Sequence, residues 1–116
     1  MRSWRVLVGG LAIDDVDVQT SYADVFLVVR EGAAAPGPND WEATVRTPDR
    51  THLRPGRYAL RATTAEGHDV GGAALLRFSD GHQHLFRGDG PLEGVALVTR
   101  DSDLPLDGPR PGGATG

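Results

Sequence analysis

Two glycine-containing turns separate three short apolar runs between residues 57 and 87. Asp80-Gly81 predicts a two-residue type I′ hairpin turn, because that turn requires a positive φ at both central positions. Ala65-Glu66-Gly67 predicts a three-residue loop in which Gly67 adopts the left-handed conformation. Links this short join antiparallel neighbours. The region is therefore predicted to be a three-stranded antiparallel meander.

The remainder of the chain shows the same succession of short apolar runs and turn residues. Its 16 glycines and 8 prolines are scattered between those runs, which is typical of all-β chains. The glycine pair Gly9-Gly10 predicts a bend or bulge in the first strand. Residues 14–17, which are mostly aspartate, are predicted to be a connection. Strands are predicted over residues 4–13, 24–30, 41–47, 57–64, 69–78, 82–87 and 94–100.

A chain of 116 residues is the size of one domain. Residues 1–100 are predicted to form that single all-β domain, and residues 101–116 a flexible Pro/Gly-rich tail. About seven strands of this length are too many and too short for an open single sheet. We therefore expect a small antiparallel β-barrel or β-sandwich with a C-terminal meander.

The two turns also predict how the side chains of the meander divide between its faces. The loop at residues 65–67 sets Thr64 opposite His68, and the turn at residues 80–81 sets Ser79 opposite His82. One face then collects most of the large apolar residues: Tyr58, Leu60, Ala62, Val70, Gly72, Ala74, Leu76, Phe78 and Leu85. A slip of one residue in either turn would scatter this set across both faces. The agreement between the turns supports both registers.

The opposite face of the meander is polar near residues 80–81 and apolar in its middle. Its apolar residues are Ala59, Ala73, Leu75 and Phe86. Contiguous exposed apolar surface on a small protein marks an interface, so these residues are the predicted contact site. Two alternatives stay open: the N-terminal strands cover this face as the second side of a sandwich, or the face forms a ligand groove.

His82 and His84 have the spacing of a metal site, since side chains two residues apart on a strand point to the same face. Together with Asp89 they resemble the His-x-His sites of cupins, which implies a β-barrel that binds a metal ion and can be an enzyme. The chain departs from the cupin pattern because no later histidine completes the ligand set. The predicted register also places Arg77 opposite His84, and a guanidinium there opposes a bound divalent cation.

Composition argues against several classes of partner. The formal net charge is −4 and the arginines are spread along the chain, whereas nucleic-acid binding depends on clustered cations. The absence of cysteine excludes disulfides and thiolate metal sites. No apolar stretch is long enough for a membrane span or a signal sequence, so we expect a cytoplasmic protein without membrane contact.

These observations favour a non-catalytic binding or assembly module that acts through protein–protein contact or self-association. We find no serine in a nucleophile elbow and no Ser/His/Asp ordering, so enzyme activity is not expected. No cofactor is expected apart from the metal ion considered above. The alternative is a small-molecule or metal-binding β-barrel, cupin-like and catalytic, that uses His82 and His84.

Overall fold

The structure is a computed structural model that describes residues 1–95 of the chain. Seven strands lie in this part: β1 (Arg2–Ile13), β2 (Val16–Val18), β3 (Tyr22–Val29), β4 (Trp41–Arg46), β5 (Arg57–Thr64), β6 (Asp69–Ser79) and β7 (Gln83–Gly88). Six of them pair in the order β1-β3-β4-β7-β6-β5, and β5 pairs again with β1. All pairings are antiparallel. The fold is therefore a closed six-stranded barrel with β2 as an extra strand, which confirms the all-β prediction.

β1 closes the barrel because it is long enough to pair with two neighbours in succession. Residues Arg2–Leu7 pair with β3, and residues from Val8 to Ile13 pair with β5. The register shifts between Val8 and Gly10, so the predicted bulge lies at the glycine pair. Closure leaves the six barrel strands without an open sheet edge along their paired lengths.

Alternate side chains of each strand point into the barrel and form its core. The buried apolar residues are Trp4, Val6, Leu11, Ile13, Ala23, Val25, Leu27, Val29, Trp41, Ala43, Val45, Leu60, Ala62, Val70, Ala74, Phe86 and Leu92. Gly88 makes room for the indole of Trp41, since a Cβ at this position would overlap the ring. Trp41 Nε1 in turn donates to the carbonyl of Gly90 at 2.9 Å. This contact holds the segment after β7 against the barrel.

Residues 14–17, predicted to be a connection, instead form the turn and first part of a hairpin between β1 and β2. Ile13 pairs with Val16, and Asp14 and Asp15 have φ angles of 51° and 66°. Positive φ at both central positions defines a type I′ turn, and aspartate is one of the few residues that tolerates it. Asp14 also binds β5 reciprocally: its N–H donates to the carbonyl of Ala59 at 2.8 Å, and its Oδ1 accepts the N–H of Ala59 at 2.8 Å.

The predicted loop between β5 and β6 is confirmed. Gly67 has a φ of 95°, and the N–H of Thr64 donates to the carbonyl of His68 at 2.7 Å. Leu60 pairs with Gly72 and Tyr58 with Ala74, as the sequence indicated. The large residues of this hairpin therefore lie opposite small ones inside the barrel.

The predicted turn at Asp80-Gly81 is wrong in length. Ser79 pairs with His84, so four residues lie between these two partners, and only Gly81 of the predicted turn pair has a positive φ. The Asp80 carboxylate explains the wider turn, because its Oδ1 accepts the N–H groups of His82 at 2.9 Å and Gln83 at 2.7 Å. The loop after β4 adds a bond from the N–H of Thr51 to the carbonyl of Gly81 at 2.7 Å.

The wider turn and a bulge between Leu76 and Phe78 exchange the two faces of β7. Leu76 pairs with Phe86, where the prediction paired it with Leu85. Phe86 and His84 consequently point into the barrel, and Leu85 points outward beside Phe78, which is 51% exposed. The predicted apolar face is therefore correct for β5 and most of β6, and wrong for β7.

The remaining strand predictions agree with the structure to within two residues at each end where it describes them. The predicted strand over residues 94–100 lies outside the described residues except for its first two positions. The predicted tail over residues 101–116 lies wholly outside them. Within residues 1–95, no helix is both long and apolar enough to cross a membrane.

Candidate functional site

His84 lies inside the barrel, and its side chain is satisfied there by two hydroxyl groups. Its Nδ1 is 2.8 Å from Ser79 Oγ, and its Nε2 is 3.3 Å from Thr47 Oγ1. The residue is 0% exposed. Burial lowers the pKa of His84, with the Asp80 carboxylate opposing the shift and His82 reinforcing it. The imidazole is therefore neutral at neutral pH, and its contacts join the β6–β7 turn to the loop after β4.

The three predicted metal ligands are not brought together. His82 is exposed in the turn, with Nδ1 3.3 Å from the carbonyl of Thr47, whereas His84 is buried. The Asp89 carboxylate forms an ion pair with Arg57 at 2.9 Å. Among residues 1–95, no group of three or more His, Cys, Asp or Glu side chains is arranged to hold a metal ion. The predicted Arg77–His84 pairing is also wrong, since Ser79 occupies that place.

The contact between Ser79 and His84 has the distance of a nucleophile–base pair but lacks its surroundings. A catalytic histidine is usually oriented by a carboxylate on its second nitrogen, and here that nitrogen faces Thr47 Oγ1. The ring is wholly enclosed, so a substrate cannot reach it without opening the barrel. Ser79 Oγ also accepts the N–H of Gly81 at 3.4 Å. We interpret this group as a structural support for the turn.

Three of the four predicted interface residues do lie together on the outside of the barrel. Ala59 of β5 pairs with Ala73 of β6, and Arg57 pairs with Leu75. Phe86, the fourth, is 0% exposed in the core because of the changed β7 register. We call the outward residues Ala59, Arg61, Gly71, Ala73 and Leu75 the β5–β6 face.

A cleft of about 600 Å³ lies on this face. Ala59, Gly71 and Ala73 line it and have no side chain beyond a methyl group, so the surface lies close to the backbone. The segment after β7 contributes Pro91 and Glu93, and the latter residue exchanges two backbone hydrogen bonds with Gly71, at 2.7 and 3.1 Å. The cleft therefore exists because this segment continues alongside β6 where β7 has ended.

Charged groups of both signs line the same cleft. Arg61 pairs with Gly71 across the two strands, and Asp69 and Glu93 are also lining residues. Asp69 Oδ1 accepts a hydrogen bond from Thr63 Oγ1 at 3.1 Å. Within residues 1–95, Arg61 and Glu93 form no ion pair with each other or with another side chain. A cation and a carboxylate are thus available at one surface.

A second outer face, missed by the sequence analysis, crosses β1, β3, β4, β7 and the end of β6. We call it the arginine–aromatic face; it comprises Arg5, Tyr22, Phe26, Glu42, Arg46, Arg77, Leu85 and Arg87. The register places Phe26 beside both Arg5 and Glu42, and Glu42 beside Arg87. The alternation in residues 41–46 indicates that Glu42 and Arg46 point outward. The neighbouring strand over residues 24–30 is apolar on both faces, so its sequence does not show which of its side chains point outward.

The nearly buried carboxylate of Asp24 contacts two residues of the arginine–aromatic face, Tyr22 and Arg5. Asp24 is 7% exposed and accepts a short hydrogen bond of 2.5 Å from the Tyr22 hydroxyl. This hydrogen bond raises the pKa of Tyr22, with burial and the charge of Asp24 adding to it and the charges of Arg5 and Arg46 opposing it. Arg5 lies 3.5 Å from Asp24 and 5.4 Å from the centre of the Phe26 ring.

Comparison of the chain with protein-family models, with curated proteins and with solved structures finds no match.

Proposed function

We propose that this chain is a non-catalytic assembly module that self-associates through the β5–β6 face. The observation that carries the proposal is that two predicted interface residues, Ala59 and Ala73, line the cleft of about 600 Å³, and that the third, Leu75, follows Ala73 on the same face. Surface concavity and apolar residues together are characteristic of contact sites.

Small side chains favour a close approach by another copy. Ala59, Gly71 and Ala73 offer no long side chain that association would have to immobilise, which reduces the entropic cost of binding. Leu75 follows Ala73 on the same face and supplies the larger apolar group. In a two-fold contact, Leu75 of each copy packs toward the cleft of the other, as an isologous interface requires.

The charges of the cleft are self-complementary. Arg61 of one copy can pair with Glu93 or Asp69 of the second copy, because two-fold symmetry brings the same cleft residues to both sides. Such pairs supply orientation and specificity more than affinity. A metal-binding function finds no comparable support, since His82, His84 and Asp89 do not form a group that could hold a metal ion among residues 1–95.

The test is sedimentation velocity or light scattering on the full chain between about 10 µM and about 1 mM. We expect a concentration-dependent dimer, and we expect Ala73→Arg and Leu75→Glu to be monomeric with unchanged circular dichroism. Val16→Arg is the matched control, because Val16 is 64% exposed on β2, away from the cleft. A wild-type chain that stays monomeric over the whole range contradicts the proposal.

A further inference from the structure

We propose that the arginine–aromatic face binds an acidic segment of another protein, in which two apolar residues are flanked by carboxylates. This inference is independent of self-association, because it concerns residues outside the β5–β6 face. It rests on the composition of the face, its charge and two hollows in its surface.

The face has the composition of an interface centre. Tyrosine, phenylalanine and arginine are enriched in protein contacts, and tyrosine and arginine are frequent among the residues that dominate binding energy. Tyr22 is 40% exposed. Cross-strand pairing continues the apolar surface from Leu85 of β7 to the exposed Phe78 of β6. The aromatic rings are thus accessible and stand beside cations.

The sign of the charge on this face is opposite to that of the chain. Four arginines belong to it, whereas the whole chain has a formal net charge of −4. Asp24 is already engaged by Tyr22 and Arg5, and Glu42 lies 3.8 Å from Arg87, a long contact between exposed groups. Arg46 and Arg77 form no ion pair within the described part of the chain. An acidic partner would neutralise this unpaired positive charge.

Two hollows define where the apolar residues of the partner would lie. One, of about 200 Å³, is lined by Leu85 between the two arginines Arg77 and Arg87. The other, of about 310 Å³, is lined by Phe26 and Val28. Glu42 and Arg87 line both hollows and therefore separate them.

The spacing of the hollows sets the spacing of the partner's apolar residues. Leu85 is on β7 and Phe26 on β3, with β4 between them. The registers align Leu85 with Thr44 and Asp24, so Phe26 lies two strands across and two residues along from Leu85. This diagonal is about 12 Å, which about four residues of extended chain span with both side chains on one face. An apolar side chain between arginines fits a segment with carboxylates on either side of that residue, since each carboxylate can form a charge-assisted hydrogen bond with a guanidinium.

The experiment uses the full chain and a fluorescent peptide, Glu-Asp-Leu-Glu-Asp-Glu-Phe-Glu-Asp, in an anisotropy titration. We expect saturable binding that weakens as ionic strength rises. The double variant Arg77→Glu/Arg87→Glu is expected to weaken binding by at least about tenfold. A peptide with serine in place of Leu and Phe is expected to bind less tightly, because it leaves both hollows empty.

Arg54→Glu is the matched control for the single variants Arg77→Glu and Arg87→Glu, because it makes the same charge change at an exposed arginine outside both faces and should leave peptide affinity unchanged. Thermal unfolding of each variant establishes that it is folded. The proposal is overturned by any of three results: no saturable binding up to about 1 mM peptide, equal losses for Arg54→Glu and the single face variants, or equal binding of a lysine-substituted peptide. Tighter binding of an oligothymidine, lost in the same face variants, would also overturn it and assign the face to nucleic acid.

Discussion

Ser79 and His84 face each other across the β6–β7 turn, with Ser79 Oγ 2.8 Å from His84 Nδ1 inside the barrel wall. This pairing determines which side of β7 is buried, and it is the structural reason that Phe86 lies in the core. Burial disfavours the charged form of the imidazole, and within the described part of the chain no carboxylate lies at hydrogen-bond distance to offset it.

The pH dependence of stability follows from the lowered pKa of His84. The unfolded chain binds a proton near the ordinary value of 6.5, whereas the folded chain binds it only at lower pH. The contribution of His84 to the free energy of unfolding is therefore complete above pH 6.5 and is lost as the pH falls toward the folded-state pKa of this residue. We expect the urea concentration at the unfolding midpoint to decrease as the pH is lowered from about 7.5 to about 5.

His84→Gln should reduce this dependence, because glutamine keeps hydrogen-bonding groups but does not titrate. His82→Gln is the matched control at an exposed position. The lowered pKa of Asp80, caused first by the N–H groups of Gln83 and His82, acts only at lower pH, below the ordinary value of 3.8. Identical pH profiles for wild type and His84→Gln would contradict the assignment.

The β7 register predicts opposite responses at Phe86 and Leu85. Phe86→Ala should lower the free energy of unfolding by about 3–5 kcal/mol, since it removes a fully buried ring from the core. Leu85→Ala should cost less than about 1.5 kcal/mol, because its side chain is only partly buried. Urea unfolding measures both. A larger loss for Leu85→Ala than for Phe86→Ala would contradict this register and indicate that Leu85 lies inside the barrel.

The β1–β2 hairpin depends on Asp14. Asp14→Ala removes the side-chain acceptor of the Ala59 N–H and places alanine at positive φ, so we expect a loss of about 1–3 kcal/mol. Asp15→Gly should be neutral or stabilising, because glycine tolerates this φ better. Asp17→Ala on exposed β2 is the control. Equal effects of Asp14→Ala and Asp17→Ala on thermal unfolding would show that the turn does not contribute.

Charge reversal tests the self-complementary cleft. Arg61→Glu should weaken self-association by about tenfold or less, since interfacial ion pairs contribute variably. Adding Glu93→Arg should restore part of the affinity, because the pair is then re-formed with its signs exchanged. Sedimentation of the single and double variants measures this. The double variant Arg61→Glu/Glu93→Arg must recover more affinity than the control double variant Arg61→Glu/Glu66→Arg, because Glu66 does not line the cleft.

Local sequence signals were sufficient for six of the seven strands of residues 1–95 and for one of the two predicted turns. The alternation in residues 41–46 and the left-handed Gly67 depend on neighbouring residues alone, and both prove correct. β2 was missed because it is only three residues long and follows a turn made of aspartates without glycine. The interface prediction combined residues from two hairpins, so the error in the second turn moved Phe86 from the surface into the core.

The sequence by itself therefore determined an all-β chain, the β5–β6 hairpin and the outward position of Ala59, Ala73 and Leu75. Only the tertiary structure decided the closure through β1 and β5 and the register of β7. The physical reason is that these features depend on long-range contacts, such as Thr47 and Thr51 binding the β6–β7 turn. With a side-chain period of two, a one-residue change in that register exchanges the faces of the strand.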